Sequence, residues 1–521
     1  MARDRGVVAG KLVRRACETH ADRLLATHGD ETVTYREAWE RGGRLAAALS
    51  TRGLDPGDHV GLMMGNQLDY FTGAFACIRG GYVLVPMNDM LRADEFQYML
   101  EDSGARGILV GSEFTETLAS IEPALSTLDV RIAVDDPVEG QEHLDEVLTA
   151  TEGTRDVPVA GDDRLMLPYT GGTTGKPKGV KHTHASLGMD MLAHVTELEI
   201  RDGEEMLMTT PLPHAAGYIA LGGLVQGAHF TLTTGFDPGQ FLALVDGGRI
   251  SWTFLVPTQL YRLLDHDALE TTDVSGLNTI VYGAAPITPE RLEDGMSAFG
   301  PIFIQLYGQT EMPDIGTILP KDDHVVGEQR VESCGKPAAM VDVRIANPDD
   351  HEDTAPIPPG EEGELLMRSP YAMEEYHERP ASTEETLVDG WLRTGDIARQ
   401  DEDGYVYLLD RATDMIITGG MNVYTTEVED AIDRHPGVAQ VAVIGTPHEE
   451  WGESVHAVVV PEADADPTAE AIREFAGDRL ADYKKPKSVE FVEEIPTTPY
   501  GKVDKKALRE PYWEESDREI N

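Results

Sequence analysis

The sequence predicts an α/β protein with a large N-terminal domain of layered α/β sheets, a β-rich subdomain, and a small α+β C-terminal domain. Three observations carry that prediction. The chain has 521 residues, more than one ordinary hydrophobic core holds. Apolar residues make up 41%, enough for a packed interior. Helical periodicity alternates with short apolar runs over the first half, the rhythm of a mostly parallel sheet.

The elements follow in order. "YREAWERGGRLAAALSTRG" has helical spacing and a glycine stop, and "HVGLMM" after it is a strand. "DYFTGAFACIRGG" and "ADEFQYMLEDSG" are helices, each followed by a strand, "YVLVPM" and "RGILVG". The uncharged stretch "HAAGYIALGGLVQGAHF" (214–230) is interrupted by glycines and reads as a buried helix or core segment, not a membrane span. Strands resume at "RISWTFLVP", "LNTIVYGAAP" and "IFIQLYGQTE". From about residue 340, "VDVRIANPDD", "GELLMRS" and "GYVYLLDR" are short antiparallel strands around an acidic, turn-rich loop. After Asp410 a smaller unit begins. "TEVEDAIDRHPG" is helical, "AQVAVIGT" and "SVHAVVV" are strands, and "SVEFVE" is the last strand. "DPTAEAIREFAGDRLADYK" is read as one helix, with Asp466 as its cap and Pro467 in its first turn. The domains are drawn at 1–411 and 412–521.

The formal net charge is −50, which repels nucleic-acid backbones and anionic membrane surfaces. Only 12 of the 43 basic residues are lysine. Such a surface suits a salt-filled cytoplasm, so a halophilic source is expected. Cys17, Cys77 and Cys334 are too dispersed for a metal site or a disulfide framework. The opening "MARDRGVVAG" has no apolar signal core, so the expectation is a soluble, cytoplasmic protein.

Residues 169–180, "YTGGTTGKPKGV", have the composition of a loop that wraps phosphate with backbone N–H groups, hydroxyls and lysines. It is not a Walker loop. Thr170 stands where the first glycine belongs, and Pro177 replaces the metal-binding Ser/Thr. Proline also disfavours helical backbone at Lys176. The flanks "RLMLPYT" and "GVKHTH" read as strand ends.

This loop resembles the signature of the adenylate-forming superfamily, which includes acyl-CoA synthetases. "PLPHAAG", "YGAAPI", "YGQTE", "WLRTGD", "DRATDMIITGGMNVYTTEVE" and "PTTPYGKVDKKAL" follow in the family's order. The resemblance implies an ATP-dependent acid–CoA ligase. A carboxylate attacks the ATP α-phosphate, giving acyl-AMP and pyrophosphate, and the CoA thiol then displaces AMP.

It also implies roles. Thr170, Gly171, Gly172, Thr173, Thr174, Gly175 and Lys176 wrap the leaving phosphates. Gly283, Ala284, Ala285 and Pro286 pack on adenine with Tyr307, beside Gly308 and Gln309. Thr310 touches the α-phosphate, and Glu311 binds Mg²⁺, a suitable hard-oxygen ligand. Asp396 accepts from the ribose hydroxyls, and Arg411 supports ribose and phosphate. His214 orients the acyl carboxylate. Lys502 bridges that carboxylate and the α-phosphate. A mobile C-terminal domain pivots at Thr413, where the family commonly has Asp or Lys, and brings Gly419 and Gly420 to the pantetheine arm of CoA.

Lysine retention is an independent signal. Lys176, Lys178 and Lys181 surround the loop, and Lys484, Lys485, Lys487, Lys502, Lys505 and Lys506 cluster near the C-terminus. Apart from Lys502, the second group is read as attraction for CoA phosphates or as plain surface. The acid pocket is expected near 214–217, around "GAAP" and at 312–316, with a medium- or long-chain fatty acid or an aromatic acid as substrate. Asp314 is the one acidic residue there that could read an amino group. Loading of a separate carrier protein is the alternative, and a non-catalytic nucleotide binder is the reading from a different class.

Overall fold

Two large sheets account for the first two-thirds of the chain. One has nine strands, in the order Lys336–Pro337, Met312–Leu319, Phe303–Gln309, Thr279–Gly283, Trp252–Leu255, Glu205–Met208, His229–Leu232, Leu24–His28, Glu31–Thr34. Its interior pairings are parallel and its edges antiparallel. The other has eight strands, in the order Glu375–Tyr376, Val180–Thr183, Arg164–Met166, Val83–Met87, His59–Met63, Gly107–Val110, Val130–Ala133, Glu142–His143. The computed structural model describes residues 6–170, 176–285, 287–348, 350, 352–419, 421–448, 451–463, 465–498 and 503–513.

Local chemistry explains the early alternation. The helix Tyr35–Thr51 opens with a capping box: Thr34 Oγ1 accepts from Glu37 N, and the Glu37 carboxylate accepts from Thr34 N. The helices Asp69–Gly80 and Ala93–Ser103 both stop at a left-handed glycine, Gly81 (φ 71°) and Gly104 (φ 63°). The intervening strands are apolar on both faces because helices cover both. The helix His184–Glu197 packs on strands of both sheets and against the helix Ala215–Val225. The uncharged 214–230 stretch is therefore a buried helix, ended near Gly227 (φ 63°), followed by a buried strand. Among the described residues no helix is long and apolar enough to cross a membrane. The three cysteines are free and buried.

The chain divides into two compact units. The first runs to Thr170 and includes Pro177–Asp342 and Met367–Leu392; the second holds Val343–Leu366 and the chain from Arg393 on. In the second, Asp396–Gln400, the latter half of the strand Trp391–Gln400, pairs antiparallel with Val406–Arg411. Farther on, Met421–Val423, Ile416–Thr418, Gly452–Pro461 and Val438–His448 form a sheet, with Ser488–Phe491 parallel to Gly452–Pro461. The helices Thr425–Asp433 and Ala469–Gly477 cover its core of Ile416, Val428, Ile432, Val455 and Ile472. The second helix corrects the sequence reading. Its cap is Thr468, which accepts from Ala471 N, so Asp466 and Pro467 precede the helix. It ends at Gly477, a poor helix former, well short of Lys484.

Candidate functional site

In the first unit, the strands Phe303–Gln309 and Met312–Leu319 form a hairpin closed by the Gln309↔Met312 pair. Thr310 and Glu311 are its two-residue tip, half-buried. Three bonds fix that tip. His182 Nε2 donates to the Thr310 carbonyl at 2.8 Å. Met373 N donates to the Glu311 carbonyl at 2.7 Å. Tyr376 Oη donates to Glu311 Oε1 at 2.5 Å. Burial and the Glu311 carboxylate push the Tyr376 phenol up, so it stays a donor. Lys178 Nζ lies over the Tyr376 ring, 4.3 Å from its centroid. The tip therefore offers a hydroxyl and one oriented carboxylate, with a lysine beside them.

The glycine-rich loop springs from the same region. Tyr169 pairs with Gly179. Thr170 N donates to the Lys178 carbonyl at 3.0 Å, and Lys178 N donates to Thr170 Oγ1 at 3.2 Å. These pairs close a loop between two strands, as the flanks predict. Tyr98 Oη donates to the Pro177 carbonyl at 2.8 Å. Lys176 is exposed. Gly171, Gly172, Thr173, Thr174 and Gly175 lie outside the described residues.

The strand Thr279–Gly283 is the parallel neighbour of Phe303–Gln309, with Gly283 opposite Leu306. A Cβ on Gly283 would stand 2.4 Å from the Leu306 carbonyl oxygen, so only glycine fits. Ala284 has φ 65°, which turns the chain sharply at the strand's end. Gly283, Ala284 and Ala285 thus leave the sheet one strand away from Tyr307, Gly308 and Gln309. Pro286 lies outside the described residues.

His214 precedes the helix Ala215–Val225. Asn88 Nδ2 donates to its Nε2 at 3.0 Å, which puts the ring proton on Nδ1. An apolar pocket opens beside it, lined by Tyr70, Phe71, Phe75, Leu84, Met166 and Leu221 among others. His214 and Gly217 are in its wall. The 312–316 segment is not: Met312 and Ile315 are fully buried, and Asp314 faces His194 Nε2 at 3.3 Å.

In the second unit, Asp396 and Arg411 are cross-strand partners, with Arg411 Nε 3.4 Å from Asp396 Oδ1. Asp396 is 7% exposed. The Arg411–Asp414 segment is tied at both ends. Before it, the Asp410 carboxylate accepts from Thr425 N and Oγ1, at 2.5 and 2.9 Å. After it, Arg509 pairs with Asp414 and donates to the Thr413 carbonyl at 3.1 Å. Gly419 has φ 59°, and its N–H donates to the Trp451 carbonyl at 2.8 Å. Gly420 and Lys502 lie outside the described residues.

The lysine cluster is corrected in part. Lys505 is half-buried, its side chain 12% exposed, and lies 2.7 Å from Glu429 and 2.6 Å from Thr425 Oγ1. Against the cost of burial, Glu429 and Asp410 hold its ammonium above the usual range. Lys484 pairs with Glu427 and Lys485 with Asp482 at 2.7 Å. Lys505 is therefore a structural cation, not a lure for CoA phosphates.

Sequence reasoning missed Tyr376, His182 and Asn88, and the aromatic wall from the helix Asp69–Gly80. Tyr376 is 65 positions from Glu311 and carries no motif. Only the retained Lys178 pointed toward this neighbourhood.

Two families match. Residues 13–377 match the AMP-binding enzyme family, and residues 427–502 match the AMP-binding enzyme C-terminal domain. The medium/long-chain-fatty-acid–CoA ligase FadD8 of Mycobacterium tuberculosis is 36% identical, over 98% of this chain and 91% of the relative. The feruloyl-CoA synthase of an Amycolatopsis species is 37% identical, over 97% and 99%. Among solved structures, the amide bond synthetase McbA from Marinactinospora thermotolerans superposes with a TM-score of 0.87 at 30% identity, over 97% of this chain and all of that one.

Proposed function

We infer that the acid activated here is a medium- or long-chain fatty acid, on the premise that this chain belongs to the AMP-binding enzyme family and is an AMP-forming acid–CoA ligase. The observation that carries the inference is the apolar character of the residues that line the small cavity beside His214. Its wall holds Phe71, Phe75, Leu84, Met166 and Leu221, with no lysine, arginine, aspartate or glutamate. Such a wall favours an alkyl chain and opposes a second carboxylate or an ammonium. The FadD8 relative supports the same class; the feruloyl-CoA synthase relative supports an aromatic acid as the second reading.

The reaction brings a carboxylate against a polyphosphate, so positioning and positive charge must offset anion repulsion. One carboxylate oxygen bonds to the α-phosphorus as pyrophosphate leaves; the CoA sulfur then bonds to the acyl carbon as AMP leaves. His214, held by Asn88, orients the carboxylate. Lys502 bridges carboxylate and α-phosphate in the first step. Thr170, the 171–175 loop and Lys176 wrap the departing phosphates. Thr310 contacts the α-phosphate. Gly283 to Pro286, with Tyr307, Gly308 and Gln309, receive the adenine. Asp396 and Arg411 hold the ribose. Residues 412–521 act as the lid, pivoting at Thr413, and Gly419 and Gly420 face the pantetheine arm.

Glu311 fits Mg²⁺ by its donor chemistry. Among the described residues no group of three or more His, Cys, Asp or Glu could cage a metal. Mg²⁺ characteristically takes one or two protein carboxylates and fills its shell with phosphate oxygens and water. When bound, it neutralises charge on the phosphates. A single carboxylate steadied by Tyr376 suits that ion.

ATP–pyrophosphate exchange with octanoate, palmitate, ferulate and acetate, followed by thioester assay with CoA, tests the substrate class. Exchange should be fastest with octanoate or palmitate. Preference for ferulate would replace the fatty acid with the aromatic reading. Exchange without CoA thioester would point to a carrier-protein acceptor.

A further inference from the structure

A buried Asp–His–Asp array lies behind the Thr310–Glu311 tip, and no role above uses it. Asp190 and His194 sit one turn apart on the helix His184–Glu197, which packs against the strand Met312–Leu319. His194 Nδ1 donates to the Asp190 carbonyl at 2.9 Å and lies 3.4 Å from Asp190 Oδ2. Its Nε2 faces Asp314 Oδ2 at 3.3 Å. Both ring nitrogens thus meet oxygen acceptors, the arrangement of an imidazolium. The side chains of Asp190 and His194 are 0% exposed, where charge is costly unless paired.

Asp314 shapes the hairpin. Its φ is 57°, an unusual conformation for a residue with a side chain. Across from it, Gly308 runs so close that a Cβ there would meet the Asp314 carbonyl carbon at 2.5 Å. The strand register shifts between Tyr307 and Gln309. Between those pairs Gly308 alone stands opposite Pro313–Gly316, a bulge-like irregularity immediately behind the tip, of the kind that re-aims side chains. Tyr218, from the wall of the apolar cavity, is buried, and burial first, then Asp314 and Asp190, push its phenol well up.

We propose that His194, oriented by the Asp190 backbone carbonyl, is a positioning residue: through Asp314 it holds the irregular register behind the tip so that Thr310 and Glu311 face the phosphates and their metal ion. The inference rests on the roles given above to Thr310 and Glu311. It concerns adenylation, because the thiol step no longer needs the pyrophosphate or its metal.

The test compares Asp314→Gly, which accepts the backbone conformation but loses the imidazole contact, with Asp314→Asn, which tolerates the same conformation and keeps an acceptor oxygen. His194→Gln is the second site, and Glu311→Gln the control. ATP–pyrophosphate exchange is titrated with MgATP and with Mg²⁺, and CoA thioester formation is measured from supplied acyl-AMP. Asp314→Gly and His194→Gln should raise the half-saturating MgATP and Mg²⁺ concentrations about tenfold, the scale of lost outer-shell support, with thioester formation within about twofold of wild type. Asp314→Asn should recover most of the loss. Equal loss in both half-reactions, or no shift in MgATP and Mg²⁺ dependence, overturns the proposal. If Glu311→Gln loses Mg²⁺ dependence while the array variants keep it, only the array's role falls. If Glu311→Gln behaves as wild type, the role of Glu311 falls first and this inference with it.

Discussion

The hairpin tip at Thr310–Glu311 and the pivot segment at Arg411–Asp414 both carry residues assigned to the nucleotide, yet they are held by different forces. The tip is fixed by short, directional bonds to backbone carbonyls and one phenol. Its histidine partner, His182, is buried and neutral, lowered to about 4 by desolvation. The pivot is flanked by charge: Asp410 beside Lys505 and Glu429 on one side, Asp414 with Arg509 on the other. Short hydrogen bonds lose their value steeply with misalignment and suit a part that must stay put. Ion pairs act over longer range and can exchange partners or water, which suits a segment proposed to rotate.

Substitutions can break that comparison. Lys502→Ala should lower adenylation by roughly 10³-fold, the scale of losing a charge that stabilises a developing anion. Glu311→Gln should cost about 10²-fold in ATP–pyrophosphate exchange, and Tyr376→Phe about tenfold, through misorientation of the same carboxylate. Chelation with EDTA should abolish exchange in the wild type. Ala74→Phe, placed in the apolar pocket wall, should lower kcat/KM for palmitate about tenfold more than for acetate, with the MgATP KM unchanged.

Stability against pH sharpens the contrast. Burial lowers His182, His184 and His324, all in the first unit, from 6.5 to about 4. The unfolded chain takes up these protons before the folded one does. The stability they contribute is complete above pH 6.5 and is lost as pH falls toward 4, by roughly 3 kcal/mol for each histidine at full effect. Urea unfolding at pH 7 and at pH 5 should show the decline, and His324→Gln should flatten it by one proton. At the pivot, Lys505→Met should shift the partition between the two half-reactions by only a few-fold, because Thr425 still binds Asp410.

Much of this was legible in the chain. The early helices carry their own stop signals in Gly81 and Gly104, and the strands between them are continuous apolar runs. The hairpin tip at Thr310–Glu311 and the Asp396–Arg411 cross-strand pair involve "YGQTE" and "RTGD", motifs short enough for local spacing to single them out. Tyr376 and Asn88 were not legible, since a contact across 65 or 126 positions leaves no local pattern. Nor was the fate of Lys505, which the sequence places in a basic cluster and the fold pairs with Glu429. The cap at Thr468 was missed because Asp466 offers the same chemistry two residues earlier, and only the backbone decides between them.

The central claim is that one chain runs two half-reactions with different residues. The direct measurement is the pair of rates in Lys502→Ala: ATP–pyrophosphate exchange with the preferred acid, and CoA thioester formation from the matching acyl-AMP supplied ready-made. Exchange should fall by roughly 10³-fold while thioester formation stays within a few-fold of wild type. Equal loss of both rates, or exchange within a few-fold of wild type, would contradict the claim.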